Sequence, residues 1–289
     1  MAPAKVNLTL EIEALLPNGY HQLDTIFSWL ELADRVVVEK APRLELVMEG
    51  EVGGLEVPHD ESNLAVRAAR ALEQLVRRAL PVKIWLRKLL PAGGGLGGGS
   101  ADAAAVLWGM DSLFELGLGL AGLSPVASAL GADVSFGLVG GTARGRGIGD
   151  RLEPLASPGR VPVVLLCPPF GCPTPTVYKL WDEFQPRPAR GTTQRLARAL
   201  AQGEVNLVDF LGNDLQPAAE RLRPELTGLR QAMLEAGCQQ AMVSGSGSTL
   251  FGLLGSGEDP EVVVGKLRAH GQVLTTHLAA ETRAKHEFS

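Results

Sequence analysis

Aromatic side chains are scarce in this chain: they make up 5% of its 289 residues, and only two of them are tyrosines, Tyr20 and Tyr178. Cysteine is scarcer. Cys167, Cys172 and Cys238 form an odd set without metal-ligand spacing, which argues against a disulfide scaffold and points to reduced thiols in a cytoplasm. No run is long and apolar enough to span a membrane, and the start, Met1-Ala-Pro-Ala-Lys5, lacks the charged region and apolar core of a signal peptide, so a soluble, cytoplasmic protein is expected. Positive charge is not in excess either: 27 Lys and Arg against 32 Asp and Glu give a net charge of -5. With no global field to grip nucleic acid or an anionic membrane, any basic site must be local, and neither partner is expected.

Glycine, by contrast, is abundant, with 35 residues gathered mostly in loops. The 45% hydrophobic content can bury a substantial core. The length suggests about two domains. Composition turns to Pro, Ser and Gly around 154–162, which puts the expected division at 1–156 and 157–289. The densest glycine run, Pro91-Ala-Gly-Gly-Gly-Leu-Gly-Gly-Gly-Ser-Ala-Asp102, follows a strand-like segment, 82–86, and precedes an alanine-rich helical one, 101–116, with Ser100 as N-cap candidate. Glycines free the backbone to turn its N–H groups inward, and a helix N-terminus adds partial positive charge, so the run reads as a phosphate cradle. A flexible linker would not be pinned by Pro91 and Ser100. Gly93, Gly95 and Gly98 also fit G-x-G-x-x-G, but the acid near the distance a dinucleotide fold needs, Asp111, falls inside the helical stretch.

Along the chain, residues 4–12 alternate as a half-buried strand with Lys5 and Asn7 on one face, where a solvated edge lysine is the default. A turn at Pro17-Asn18-Gly19 leads to Tyr20-His21 and the apolar Ile26, Phe27, Trp29 and Leu30, and short strands are expected at 36–39 and 44–48. Residues 62–77 form an amphipathic helix, and Lys88 stands close enough to the glycine run to reach a phosphate, although solvation is again its default. After a helix at 123–130, residues 131–136 lead into a strand-like run ending at 140–142, with Asp133 as a turn or N-cap residue. Further on come a strand at 161–166, a rigid proline-rich loop at 168–176, and helices at 193–202, 214–221, 224–235 and 261–269. A strand at 272–276 and a polar tail end the chain. Between two strands sits Ser244-Gly-Ser-Gly-Ser248, too short for a disordered linker; two anion-competent loops suggest a polyphosphate held from two sides.

Three of these stretches, Ala2-Pro-Ala-Lys5-Val-Asn7, Pro91 to Asp102 and Ser244-Gly-Ser-Gly247, together resemble the motifs of the galactokinase, homoserine kinase, mevalonate kinase and phosphomevalonate kinase (GHMP) superfamily. Asn18-Gly-Tyr20-His21, Gly131-Ala-Asp133-Val and Pro173-Thr-Pro175 are similar to the branch acting on a substrate with a cytidine diphosphate moiety. The resemblance implies an α/β (α+β) two-domain fold of mixed sheets with helices on one face, the active site lying in the cleft between domains. It implies ATP and Mg²⁺, and transfer of a phosphoryl group to the C2 hydroxyl of a cytidylated methylerythritol. On that match the nucleotide lies along Pro91, Gly93, Gly94, Gly95, Leu96, Gly97, Gly98, Gly99 and Ser100, with Asn63, Leu64 and Lys88 near the adenine, and the Ser100 hydroxyl serves phosphate or metal. Lys5 and Asp133 flank the acceptor hydroxyl. Tyr20 and Tyr178 sandwich the cytosine, His21 reads its edge, and Asn7, Phe27, Thr174, Pro175, Gly245 and Ser246 shape the rest of the substrate pocket. Ser135 and Ala101 depart from the family pattern, which usually has proline and a second serine there. Another kinase of the superfamily, a noncatalytic nucleotide-binding regulator and a dinucleotide-dependent oxidoreductase are the rival readings; the Lys5 and Asp133 pair disfavours the second and the wider motif set the third.

Overall fold

Lys5 and Asn7 lie in the middle of a strand buried on both faces. The computed structural model describes residues 1–50, 57–184, 191–203, 205–255 and 257–280, so most of the polar tail falls outside the described residues. In β1 (Ala2–Leu15) the even-numbered Ala4, Val6, Leu8, Leu10 and Ile12 enter the apolar core, while the odd-numbered Lys5, Asn7, Thr9 and Glu11 are polar and equally buried. A buried polar stripe needs partners. Asn7 Nδ2 donates to Thr25 Oγ1 at 2.8 Å, Thr193 Oγ1 donates to Thr9 Oγ1 at 3.0 Å, and Glu11 accepts from the Thr192 backbone N–H at 2.9 Å. The solvated edge lysine expected at position 5 is therefore corrected: the second half of the chain closes over that face.

The first half continues through β2 (His21–Lys40), β3 (Glu45–Glu49), α1 (Leu64–Val76), β4 (Val82–Arg87), α2 (Gly98–Leu113), α3 (Gly119–Leu130), α4 (Ala132–Val139), β5 (Thr142–Gly147) and β6 (Arg151–Leu155). The second half contains β7 (Pro162–Cys167), α5 (Thr174–Asp182), α6 (Thr192–Gln202), β8 (Gly212–Asn213), α7 (Gln216–Leu222), α8 (Glu225–Ala236), β9 (Cys238–Val243), β10 (Leu250–Leu254), α9 (Pro260–Leu267) and β11 (Gln272–His277). Among the described residues a seven-stranded mixed sheet runs β3-β4-β2-β1-β8, with β5 on β2 and β6 on β5, and a four-stranded antiparallel sheet runs β11-β7-β10-β9. None of the described helices is long and apolar enough to cross a membrane.

Three local readings change. β2 is a single strand of 20 residues: one stretch pairs with β1 and β5, and Arg35 to Lys40 pair with β4, so the expected strand at 36–39 is only its end. The strand-like run after Gly131 is helix α4, bounded by Gly131 and Gly140 at φ +154° and +73°. Its Gly137 faces the Ala104 methyl group of α2 with no space for a side chain, and that close helix contact outweighs the local β pattern. Ser100 is not an N-cap: α2 begins at Gly98 behind Gly97 at φ +69°, which places the Ser100 hydroxyl in the first turn.

The even face of β1 packs against the second sheet. Ala4, Val6 and Leu8 share a core with Val163, Leu165, Phe251 and Leu253. Leu10 and Ile12 join a core with Trp181, Leu226 and Met233. Helices α1 to α4 have their own core on β4, built on Leu72, Ile84, Leu107 and Leu123. The strand carrying Lys5 is thus the common wall of the two halves.

Candidate active site

The glycine loop owes its course to positive φ at Gly93 and Gly95, +70° and +78°, regions closed to most side chains. A Cβ on Gly95 would collide with the Ser244 carbonyl oxygen, and one on Gly94 with Thr249 Oγ1. Thr249 N–H donates to Gly94 O at 3.1 Å and Ser244 Oγ to Gly95 O at 2.9 Å, so the two glycine-rich loops are one packed unit. The outer side of that unit bounds a cavity of about 400 Å³. Asn63, Leu64, Lys88, Pro91, Gly93 to Gly99 and Ser100, every residue expected along the nucleotide, line it. Asn63 is also the N-cap of α1, its Oδ1 accepting from Ala65 N–H at 2.9 Å.

Lys88 is a second correction. Only 5% exposed, it lies beneath the cavity between two carboxylates, bonded to Asp34 and, at 2.8 Å, to Asp102 Oδ2. Asp34 Oδ1 also accepts from Leu89 and Leu90 N–H at 2.5 and 2.8 Å. This cluster clasps both ends of the glycine loop. Burial works against the Lys88 ammonium, but the two carboxylates outweigh it and hold its pKa above the ordinary value. Burial pushes the Asp102 carboxyl up to about 7, opposed by Lys88 and reinforced by Asp34. Its Oδ1 has no hydrogen-bond partner among the described residues.

At one end of the loop stands the pair expected to do chemistry. Lys5 Nζ donates to Asn7 Oδ1 at 2.8 Å and lies 3.4 Å from Asp133 Oδ2. Gly97 permits this: a Cβ there would sit 2.9 Å from Lys5 Cγ. The Lys5 side chain is 7% exposed and that of Asp133 34%, so the amine is sealed and the carboxylate opens outward. Phe27 stacks on Phe136 at 4.8 Å, and Lys5 Nζ lies 5.6 Å above the Phe27 ring. Gly245, at φ +57°, packs on Lys5 and Asn7; a Cβ would lie 3.4 Å from Lys5 Nζ and 3.5 Å from Asn7 Oδ1.

Of the remaining expected residues, Thr174 and Ser246 share a hydrogen bond at 2.8 Å, and Pro175 follows Thr174 in the first turn of α5. Tyr178 stacks on His21 with ring centroids 4.7 Å apart, whereas Tyr20 stands 60% exposed beside the turn. Burial raises the Tyr178 hydroxyl pKa, and the charge of Asp133 adds to the shift.

Residues 63–143 match the GHMP kinases N terminal domain and residues 189–273 the GHMP kinases C terminal family. A 4-diphosphocytidyl-2-C-methyl-D-erythritol kinase of Nocardia farcinica is 42% identical over 96% of this chain and 92% of its own. One from Pelotomaculum thermopropionicum is 38% identical over 96% of both chains. The chain belongs to the 4-diphosphocytidyl-2-C-methyl-D-erythritol kinase family of GHMP kinases. A crystal structure of 4-(cytidine 5'-diphospho)-2C-methyl-D-erythritol kinase, 38% identical, superposes with a TM-score of 0.78 over 97% of this chain and 98% of that one. A homoserine kinase from Cytophaga hutchinsonii, 19% identical, has the same fold at a TM-score of 0.72 over 96% of this chain and 94% of its own. The kinase is a small-molecule phosphotransferase that uses ATP.

Several residues of the site carry no local signal in the sequence. Asp34 lies in an ordinary strand. Asn213 forms half of the two-residue β8, parallel to β1, and its Nδ2 donates to Val243 O at 2.9 Å and Gly245 O at 2.7 Å, pinning the second loop over Lys5. Asp182, at the end of α5, holds His21. Asp102, the last residue of the glycine motif, was legible as part of the motif, but its burial was not. Among the described residues no group of three or more His, Cys, Asp or Glu side chains forms a metal cage.

Proposed function

We propose that the kinase transfers the γ-phosphoryl group of ATP to the C2 hydroxyl of 4-diphosphocytidyl-2-C-methyl-D-erythritol, giving the 2-phosphate and ADP in the non-mevalonate route to isoprenoid precursors. The observation that carries this reading is the Lys5 and Asp133 pair, 3.4 Å apart and set against Gly97, a residue of the glycine loop that lines the cavity. Residues 1–156 are the nucleotide domain in this scheme, and residues 157–289 the domain that completes the substrate side.

Phosphoryl transfer passes through a loose transition state, so positioning and charge stabilisation supply most of the rate. Backbone N–H groups of the glycine loop and the N-terminus of α2 face the phosphates. Ser100 suits Mg²⁺ as a single protein hydroxyl, because that ion is held largely by phosphate oxygens and water. Mg²⁺ bound there supplies neutralisation of phosphate charge. The acceptor oxygen forms its bond to the γ-phosphorus as the bond to the bridging oxygen breaks, ADP leaves with the electron pair, and the hydroxyl proton passes to Asp133. A carboxylate is too weak a base to ionise an alcohol beforehand, so this proton moves late. Lys5, fixed by Asn7, orients Asp133 and stabilises the developing negative charge on the acceptor oxygen.

On the substrate side, the face of Tyr178 and the edge of His21 receive the cytosine, and the exposed Tyr20 is free to fold over it as the outer ring of the sandwich. Thr174, Pro175, Ser246 and Gly245 line the path from the base to Lys5, and Phe27 backs the methylerythritol. Three free, buried cysteines are consistent with a cytoplasmic setting. The test is ADP release with ATP and Mg²⁺ on the cytidylated substrate, methylerythritol phosphate, mevalonate and homoserine. Turnover confined to the cytidylated compound is expected; turnover only with another acceptor refutes the pyrimidine site, and ATP binding without turnover on any acceptor refutes the kinase assignment of this pair.

A further inference from the structure

His21 is gripped by one helix. Its ring stacks on Tyr178, meets Trp181 edge-on at 5.5 Å and 89°, and bonds through Nε2 to Asp182 Oδ1 at 2.8 Å. These three residues stand at i, i+3 and i+4 of α5, so a single helix face supplies the stacking plane, the lateral wall and the polar anchor. A carboxylate has acceptors only, so the hydrogen in the contact belongs to Nε2. In the neutral imidazole this leaves Nδ1 without a hydrogen, as a lone-pair acceptor.

We propose that Asp182 is a positioning residue that sets the base specificity of the kinase: by holding His21 in the Nε2–H form, it makes Nδ1 an acceptor that selects cytosine over uracil. The inference rests on the pyrimidine site proposed above. Cytosine carries a 4-amino donor beside an unprotonated N3, and uracil carries the reverse, a 4-oxo acceptor beside N3–H. Against a fixed Nδ1 lone pair the amino group forms a hydrogen bond. The oxo group opposes acceptor to acceptor and leaves both unpaired, the arrangement by which a polar site rejects an analogue most strongly.

The experiment compares kcat/KM for the cytidine diphosphate substrate and its uridine diphosphate counterpart in the wild type, Asp182→Ala and Asp182→Glu. An alanine leaves Nε2 without its acceptor, so that neither the tautomer nor the orientation of the ring is fixed. In Asp182→Ala the cytidine preference falls by about tenfold or more, the worth of one hydrogen bond, through the acceptor KM and with the KM for ATP unchanged. Asp182→Glu retains a carboxylate and most of the preference. Nitrogen-15 spectra of the His21 ring give a readout independent of turnover: hydrogen on Nε2 in the wild type, and a mixture of the two tautomers in Asp182→Ala. An unchanged preference in a folded Asp182→Ala protein, or a wild-type spectrum with the hydrogen on Nδ1, overturns the role of Asp182 while leaving the pyrimidine site standing. A wild type that turns over the two nucleotides equally, or neither, overturns the site itself and the inference with it.

Discussion

Replacing Asp102 with asparagine isolates the charge beneath the glycine loop. Asp102 is 1% exposed and held at about 7, against an ordinary value of 3.8. The groups that face it are Lys88 and Asp34, so two carboxylates share one ammonium. A carboxyl whose folded pKa exceeds its unfolded one binds more protons folded than unfolded between the two values. Its contribution to stability is therefore full below about pH 4, is lost as the pH rises through about 7, and is level above that. Asparagine is nearly the same shape, keeps an acceptor for Lys88 and does not titrate. The stability of Asp102→Asn relative to the wild type should thus grow by about 2 kcal/mol between pH 5 and pH 7, at 1.36 kcal/mol per pH unit less the curvature near the midpoint. At roughly 2–4 °C per kcal/mol for chains of this size, the difference in Tm between the two proteins should widen by about 5 °C. Calorimetry of both proteins at pH 5, 6, 7 and 8 and constant ionic strength measures it, with the titrations of groups remote from the Lys88 cluster cancelling in the comparison. A Tm difference that stays constant from pH 5 to pH 7 refutes the account of a buried carboxyl that stays protonated until neutrality.

Asp133→Asn should lower kcat by roughly 10²–10⁴-fold, the usual worth of a positioned acid–base group, with little change in ATP affinity; an unchanged kcat removes Asp133 from the proton path. Asn213→Ala releases the carbonyls of Val243 and Gly245 and should lower kcat by about tenfold or more, at a stability cost of about 1–3 kcal/mol, read by steady-state kinetics and chemical denaturation; full activity would show that Gly245 holds its place over Lys5 without the clamp. Gly95→Ala forces a methyl group onto the Ser244 carbonyl at φ +78° and should abolish measurable ATP binding in titration calorimetry. Gly119→Ala, at φ +57° with open space around it, should bind ATP normally and lose only about 1–2 kcal/mol of stability, so equal behaviour of the two variants would refute the steric account.

The pH response of Asp102 also bears on why the loop is clasped from below rather than capped from its end. Gly97, the N-cap of α2, offers no side-chain cap bond, and the first turn is left facing the cavity. Its mooring is instead the Lys88 pair on the inner side, whose cost of burial is met by Asp34, Asp102 and two backbone donors that Asp34 also receives. The outward N–H groups stay free for an anion because the anchoring is done elsewhere.

What the chain determined by itself is the part of the site made of contiguous backbone. Glycines at 93, 95 and 97 with a helix behind them describe an anion cradle wherever they are folded, because φ preference and the helix dipole act within a few residues, and all twelve residues expected along the nucleotide line one cavity. Strands and helices with a clean period were legible for the same reason. Tertiary structure alone decided the charges and the crossings. Lys5 and Lys88 read locally as solvated, and both are buried, since their environments come from Asn7 and Asp133 in one case and Asp34 and Asp102 in the other. Residues 132–139 carry a strand-like pattern but fold as a helix because Gly137 can meet Ala104. Asp182 and Asn213 are ordinary polar residues until the fold sets them against His21 and Gly245. Backbone preference is a property of neighbours in sequence, while burial, which sets the cost and the partner of every charge, is a property of neighbours in space.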